Sequence, residues 1–209
     1  DPTIKAVICI RGGYGTPRIL DRLDYELISQ NPKPLCGYSD VTGLHLAINK
    51  LSGLVTYHSP MPYGEFSRGI DEYSFQVFQG VVMSEKPHGK LYNYQNAPFE
   101  IYREGAAQGP LAGGNLSLIC ALMGTPYEIE AKGKILFIED VGEDVYRLDR
   151  MLTTLRLAGK FKECAGIVFG GFTNCGHDKD FSIQDIIRDI VVPCGKPVIG
   201  GLTCGHMQP

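Results

Sequence analysis

The feature that most constrains this chain is a repeating unit: a short apolar run, a turn rich in glycine or serine, then a stretch with helical spacing. Ile4-Lys5-Ala6-Val7-Ile8-Cys9-Ile10 closes on Arg11-Gly12-Gly13-Tyr14-Gly15. Lys33-Pro34-Leu35-Cys36-Gly37-Tyr38 closes on Ser39, and Leu54-Val55-Thr56-Tyr57 is a third run. Between them, Ile19, Leu20, Leu23 and Leu27 mark a helix over 18–28, and Leu44, Ile48 and Leu51 mark one over 40–50. Parallel neighbours need a crossover of about a dozen residues or more, so this alternation predicts a parallel sheet with crossover helices. The expected fold class is α/β: an N-terminal parallel sheet, Rossmann-like but truncated, plus a second, smaller α/β lobe.

The pattern weakens over 65–109, which reads as a connecting region between lobes, with Tyr92-Asn93-Tyr94 and Phe99-Glu100-Ile101-Tyr102 as possible antiparallel strands. The expected division is therefore 1–64, 65–109 and 110–209. In the last part, Gly113-Gly114-Asn115 leads into a helix from Leu116, with Asn115 as its N-cap and Gly124 as its stop. Lys134-Ile135-Leu136-Phe137-Ile138 reads as a strand with Glu139-Asp140 at its end, and 146–158 as an amphipathic helix. Gly166 to Phe172 is a further strand, 181–192 a helix capped by Ser182, and Pro197 to Gly200 a last strand before His206.

Composition narrows the class. With 209 residues, 44% hydrophobic and 21% charged, the chain suits a globular fold and not a disordered one. A net charge of −3 without a Lys/Arg block argues against nucleic acid as a partner. No apolar run approaches the ~20 residues of a membrane helix. The 7 cysteines are odd in number and irregular in spacing, which fits a reducing cytoplasm better than a disulfide scaffold. The chain opens on Asp1 and stops at Pro209, soon after His206, so it reads as a fragment. A parallel sheet without its first strands would expose an apolar edge.

Five features bear on chemistry. Ser39 sits at a strand–helix junction in Gly37-Tyr38-Ser39-Asp40, where a hydroxyl is presented beside the unpaired amides of a helix start. Val41 stands where a G-x-S-x-G elbow has its second glycine, and helix capping is the plainer role for Ser39. The Arg11–Gly15 turn offers backbone N–H groups to an anion but lacks dinucleotide or P-loop spacing. Glu139, Asp140, Glu143 and Asp144 cluster near a strand end, either as a solvated acidic loop or as the source of a carboxylate that orients a histidine. Among the histidines, His206 and His58 follow strands, His45 lies on the helix after Ser39, and His88 and His177 fall in loops. Cys175-Gly176-His177 and Cys204-Gly205-His206 match each other, but a single intervening residue fits structural zinc poorly, so no metal or other cofactor is expected.

Taken together, Ile10-Arg11-Gly12-Gly13-Tyr14-Gly15, Gly37-Tyr38-Ser39-Asp40-Val41-Thr42 and His58-Ser59-Pro60-Met61 resemble the LD-carboxypeptidase family. Gly113-Gly114-Asn115-Leu116, Phe137-Ile138-Glu139-Asp140-Val141-Gly142-Glu143 and Gly205-His206 extend the resemblance, in order, along the whole chain. The resemblance implies a cytoplasmic, metal-free serine peptidase, typically homodimeric. Such enzymes cut an amide between an L-centre and a D-residue, as in release of D-alanine from murein tetrapeptides. A related branch cuts a peptide–nucleotide antibiotic. By motif position the resemblance makes Ser39 the nucleophile, Glu139 the orienting carboxylate and His206 the base. The backbone amides of Asp40 and Gly13 would form the oxyanion hole. Arg11, Gly114 and Asn115 are candidates for binding the substrate's terminal carboxylate, the last two through a helix N-terminus.

Overall fold

The computed structural model describes residues 1–176 and 181–207. Its architecture is α/β with two sheets. The first has three parallel strands, β1 (Val7–Ile8), β2 (Leu35–Gly37) and β3 (Tyr57–His58), in that spatial order. Between β1 and β2 lies α1 (Tyr25–Gln30), and between β2 and β3 lies α2 (Thr42–Leu51). The helix expected over 18–28 is instead two 3₁₀ turns, Thr16–Arg18 and Leu20–Arg22, followed by α1. Leu23 is extended, and Asp24 caps the new start by accepting from the Leu27 N–H at 2.8 Å. A capping carboxylate in mid-pattern thus outweighs apolar spacing that by itself suits one continuous helix.

After α3 (Glu72–Val82), the second sheet has five strands and is the larger of the two. Its order is β4 (Glu100–Arg103), β8 (Val198–Gly200), β7 (Gly166–Thr173), β6 (Ile135–Val141) and β5 (Leu111–Asn115). Only β4 runs antiparallel, against β8, so the end of the 65–109 stretch supplies an edge strand to this sheet. Tyr92–Tyr94 forms no strand; a 3₁₀ turn, Tyr94–Asn96, occupies its end. The helices here are α4 (Leu116–Ala121), α5 (Val145–Leu157), α6 (Lys160–Glu163) and α7 (Ile183–Ile186). Ser182 caps α7 in a reciprocal capping box with Asp185.

β5 is the element that local pattern misses, because two glycines interrupt a strand only five residues long. Gly113 and Gly114 lie at φ 140° and 136°. A Cβ on Gly113 would sit 1.8 Å from the Phe137 carbonyl oxygen on the paired strand, and one on Gly114 would sit 2.5 Å from Thr42 Oγ1. The first glycine lets β5 close on β6, and the second lets β5 meet α2. Gly113→Ala is expected to lower stability by about 3–5 kcal/mol, because the methyl meets backbone that cannot step aside. Urea unfolding measures this, and a midpoint close to wild type would refute the reading.

One apolar cluster joins the two halves. Leu20, Leu46 and Ala47 from the first pack with Leu116, Ile119, Leu136, Ile138, Leu148 and Leu152 from the second. The Asn115 N–H also donates to Thr42 Oγ1 at 3.0 Å. This joint holds the ends of β2 and β6 in a fixed relation. By contrast, Val7 and Ile8 on edge strand β1 are 46% and 41% exposed, as an apolar edge would be. None of the described helices is long and apolar enough to cross a membrane.

Candidate active site

The end of β2 is built to hold Ser39 in an unusual backbone state. Gly37 has φ 154°, Tyr38 is extended, and Ser39 has φ 65° at the head of a 3₁₀ turn (Ser39–Val41) that runs into α2. A left-handed serine costs on the order of 1–2 kcal/mol, and surrounding structure must enforce it. Gly12 does so by close packing: a Cβ there would lie 2.8 Å from Ser39 Cβ. Asp40 pins the turn from the other side, its Oδ2 accepting from Thr16 N at 2.9 Å and Thr16 Oγ1 at 2.6 Å. His45, one turn into α2, bonds through Nε2 to the Gly37 carbonyl at 2.9 Å. As the carbonyl only accepts, Nε2 carries the hydrogen.

His206 reaches the same place from the second sheet. The loop after β8 crosses β7 where Gly170 and Gly171 leave room, and the Gly171 N–H donates to the Cys204 carbonyl at 3.0 Å. Asn93 ties the loop down, donating to the Gly201 carbonyl at 2.7 Å and accepting from the Thr203 N–H at 3.0 Å. Glu139 Oε2 then accepts twice from His206, from the backbone N–H at 3.1 Å and from Nδ1 at 2.7 Å. A carboxylate facing Nδ1 fixes the hydrogen there in the neutral imidazole and leaves Nε2 as the acceptor. Gly205, at φ 107°, must be glycine, since its Cβ would lie 2.7 Å from Glu139 Oε2.

The geometry separates the acidic residues that local sequence leaves unresolved. Glu139 lies within β6, two residues before its end, at an irregularity in the β6–β7 register between Ile138 and Asp140. Successive strand residues face opposite sides. Glu139 turns to His206, whereas Asp140 turns to α4. There Asp140 accepts from Ser117 N at 2.9 Å, Ser117 Oγ at 2.8 Å and Asn115 Nδ2 at 2.8 Å. Burial raises the Asp140 pKa, opposed by these donors. Glu143 bonds Ser117 Oγ at 3.2 Å and pairs with Arg147 at 3.6 Å. Asn115 is also committed, since its Oδ1 caps α4 through Leu118 N at 3.2 Å. Gly114 faces Thr42, and neither Gly114 nor Asn115 is among the residues that line the cavity beside Ser39.

Ser39 and His206 line one cavity of about 280 Å³, with Arg11, Gly12 and Gly13 on one wall. The turn carrying Met61, Tyr63 and Glu65 also lines this cavity. The Arg11 guanidinium lies 5.8 Å from the Tyr63 ring centroid. Sequence reasoning assigned no role to Tyr38, Tyr63 or Glu65. Tyr38 was visible within its motif, but no pattern flags Tyr63 or Glu65, which become wall residues only once the turn folds back. Among the described residues, no group of three or more His, Cys, Asp or Glu side chains is placed to hold a metal. His177, half of one Cys-x-His pair, lies outside the described residues.

Two more histidines lie beneath the site. The His58 ring sits edge-on to Phe137 at 5.1 Å and 6.4 Å from His45. Neither of its buried ring nitrogens has a hydrogen-bond partner among the described residues. Burial lowers the pKa of His45 to about 4 and that of His58 to about 3. Both are therefore neutral in the folded protein under conditions where the unfolded chain, at about 6.5, takes up protons. The stability this confers is full above about pH 6.5 and is lost as pH falls toward the folded values, by up to about 1.4 kcal/mol per pH unit for each ring. Urea unfolding between pH 7 and 4.5 is expected to show this slope, and His58→Phe to flatten it. Equal slopes in the two proteins would refute the assignment to His58.

A Bacillus subtilis (strain 168) protein named "Probable murein peptide carboxypeptidase" is 39% identical, over 100% of this chain and 66% of its own length. The chain thus spans just under two thirds of that relative. The crystal structure of muramoyltetrapeptide carboxypeptidase from Oxalobacter formigenes superposes with a TM-score of 0.83 at 29% identity, covering 99% of this chain and 71% of that one. An MccF-like protein from Bacillus anthracis str. Ames gives 0.83 at 30% identity, covering 100% and 70%. Residues 1–59 match the LD-carboxypeptidase N-terminal domain and residues 108–209 its C-terminal domain. The chain belongs to the LD-carboxypeptidase family.

Proposed function

We propose that this chain carries the active site of a serine carboxypeptidase that removes a terminal D-residue, D-alanine in a murein tetrapeptide, by cutting the amide that joins it to an L-centre. The observation that carries this is the pairing of Glu139 with His206 Nδ1 at 2.7 Å in the wall of the cavity that also holds Ser39. Nε2 of His206 takes the Ser39 proton as Oγ attacks the carbonyl carbon, and the imidazolium then gives that proton to the leaving amine. Buried Glu139 balances the charge that forms on the ring. The tetrahedral oxygen is stabilised by the backbone N–H groups of Asp40 and Gly13, the first heading a helical turn and the second in the adjoining glycine loop. Water then attacks the acyl-enzyme with His206 again as base. Arg11, on the cavity wall, is a cation for the substrate's terminal carboxylate. The names of the B. subtilis and O. formigenes relatives support the substrate class.

The test is release of D-alanine from purified murein L,D-tetrapeptide, followed by mass spectrometry with and without a chelator. Chelator-resistant release supports the proposal. No release from folded protein, with cleavage of a peptide–nucleotide amide instead, would move the assignment to the immunity branch, for which the likeness to the MccF-like protein is the supporting observation.

A further inference from the structure

Glu139 engages the His206 imidazole through Nδ1. A second side chain lies beside the ring: Tyr38, whose ring centroid is 4.8 Å from that of His206, with the planes inclined at 57°. A neighbour that close limits how far the imidazole can tilt, and so where Nε2 points. Tyr38 is also the residue immediately before Ser39, so one side chain joins the serine, on the first sheet, to the histidine, on the second.

Tyr38 is itself held. Its hydroxyl donates to Glu65 Oε1 at 2.7 Å, and the other oxygen of Glu65 accepts from the Met61 N–H at 2.8 Å. The turn carrying both is fastened to the first sheet by the Tyr63 N–H, which donates to the Ile10 carbonyl at 2.9 Å. The Tyr38 ring also rests 5.6 Å from the His58 ring. Both Glu65 oxygens are thus engaged within the protein, which marks this carboxylate as a strut although it borders the cavity. We infer that Tyr38, fixed by its hydrogen bond to Glu65, is a positioning residue that sets the orientation of the His206 ring toward Ser39.

This rests on the serine-peptidase reading above, and the experiment separates the two. D-alanine release and the rate of Ser39 modification by a fluorophosphonate are measured on wild type, Tyr38→Phe, Glu65→Gln and Tyr38→Leu, beside thermal melts. The fluorophosphonate reports the Ser39–His206 relation without any peptide substrate. Tyr38→Phe keeps the ring but frees it from Glu65, and is expected to lower kcat and the labelling rate about 10-fold, with KM within about twofold. Tyr38→Leu removes the ring and is expected to lower both by about 100-fold. Glu65→Gln, whose carbonyl can still accept from Tyr38, is expected to be milder than Tyr38→Phe. Should Tyr38→Leu fail to fold, the order of Tyr38→Phe and Glu65→Gln decides. Wild-type rates in folded Tyr38→Phe overturn the inference, as does a rise in KM that accounts for its whole effect. Wild type that is labelled but releases no D-alanine sinks the substrate reading alone, and labelling still judges Tyr38. Wild type that neither labels nor releases sinks both.

Discussion

Ser39→Ala is expected to reduce kcat by about 10⁴–10⁶-fold, because the oxygen that forms the acyl bond in the proposed mechanism is gone. KM should change little, since the glycine loop, Arg11 and the 61–65 turn all remain. The informative companion is Ser39→Gly. Ser39 lies at φ 65°, a backbone state that glycine adopts without strain. Ser39→Gly should therefore be as inactive as Ser39→Ala yet more stable than wild type by about 1 kcal/mol. Steady-state kinetics and urea unfolding on the three proteins check both halves. Residual turnover above a few per cent in Ser39→Gly would remove Ser39 from the chemistry. A loss of stability would mean that the turn is held by the serine side chain and not in spite of it.

The second large effect is expected at Glu139. Replacing it with Gln keeps size and shape and leaves an amide oxygen that can still accept from the His206 backbone N–H and Nδ1, but removes the charge. In the proposed mechanism nothing then balances the imidazolium that forms on the ring. A fall in kcat of about 10²–10⁴-fold is expected, with KM again little altered. Asp140→Asn is the control, since it alters the next residue along the same strand. Asp140 accepts from Ser117 and Asn115 at the start of α4, away from the cavity. Its loss should lower the urea midpoint while kcat stays within a few-fold of wild type. If Asp140→Asn abolished turnover in a folded protein and Glu139→Gln did not, the two carboxylates would have been assigned the wrong way round.

That pair shows where sequence reading reaches its limit. The alternation of apolar runs and helical spacing is enough to predict that the first sheet is parallel, and local residue types give the caps at Asn115 and Ser182 and most strands of the second sheet. These follow from local chemistry: apolar periodicity, oxygen side chains at helix starts, and glycine where no Cβ fits. It failed where a contact from far along the chain overrides local preference. β5 contains two glycines that argue against a strand when read alone, yet they are what lets it close on β6 and α2. The helix over 18–28 looked continuous because apolar spacing carries no record of Asp24 capping a new start.

The site divides in the same way. By itself, the sequence determined that an α/β chain would place Ser39 on a strand–helix turn and a glycine loop after a neighbouring strand, because each is a property of a few consecutive residues. Its motif resemblance added Glu139 and His206 as candidates without saying how they meet. Only the tertiary structure decided that Glu139 and not Asp140 or Glu143 faces His206, and that Asn115 is spent on a cap. It alone brought Tyr38, Glu65 and His206 into one cluster. The physical reason is separation along the chain: His206 and Glu139 are 67 residues apart, and Tyr38 and Glu65 are 27 apart. Which side chains meet over such distances depends on how the two sheets pack, a result of the whole core that no short stretch of sequence contains.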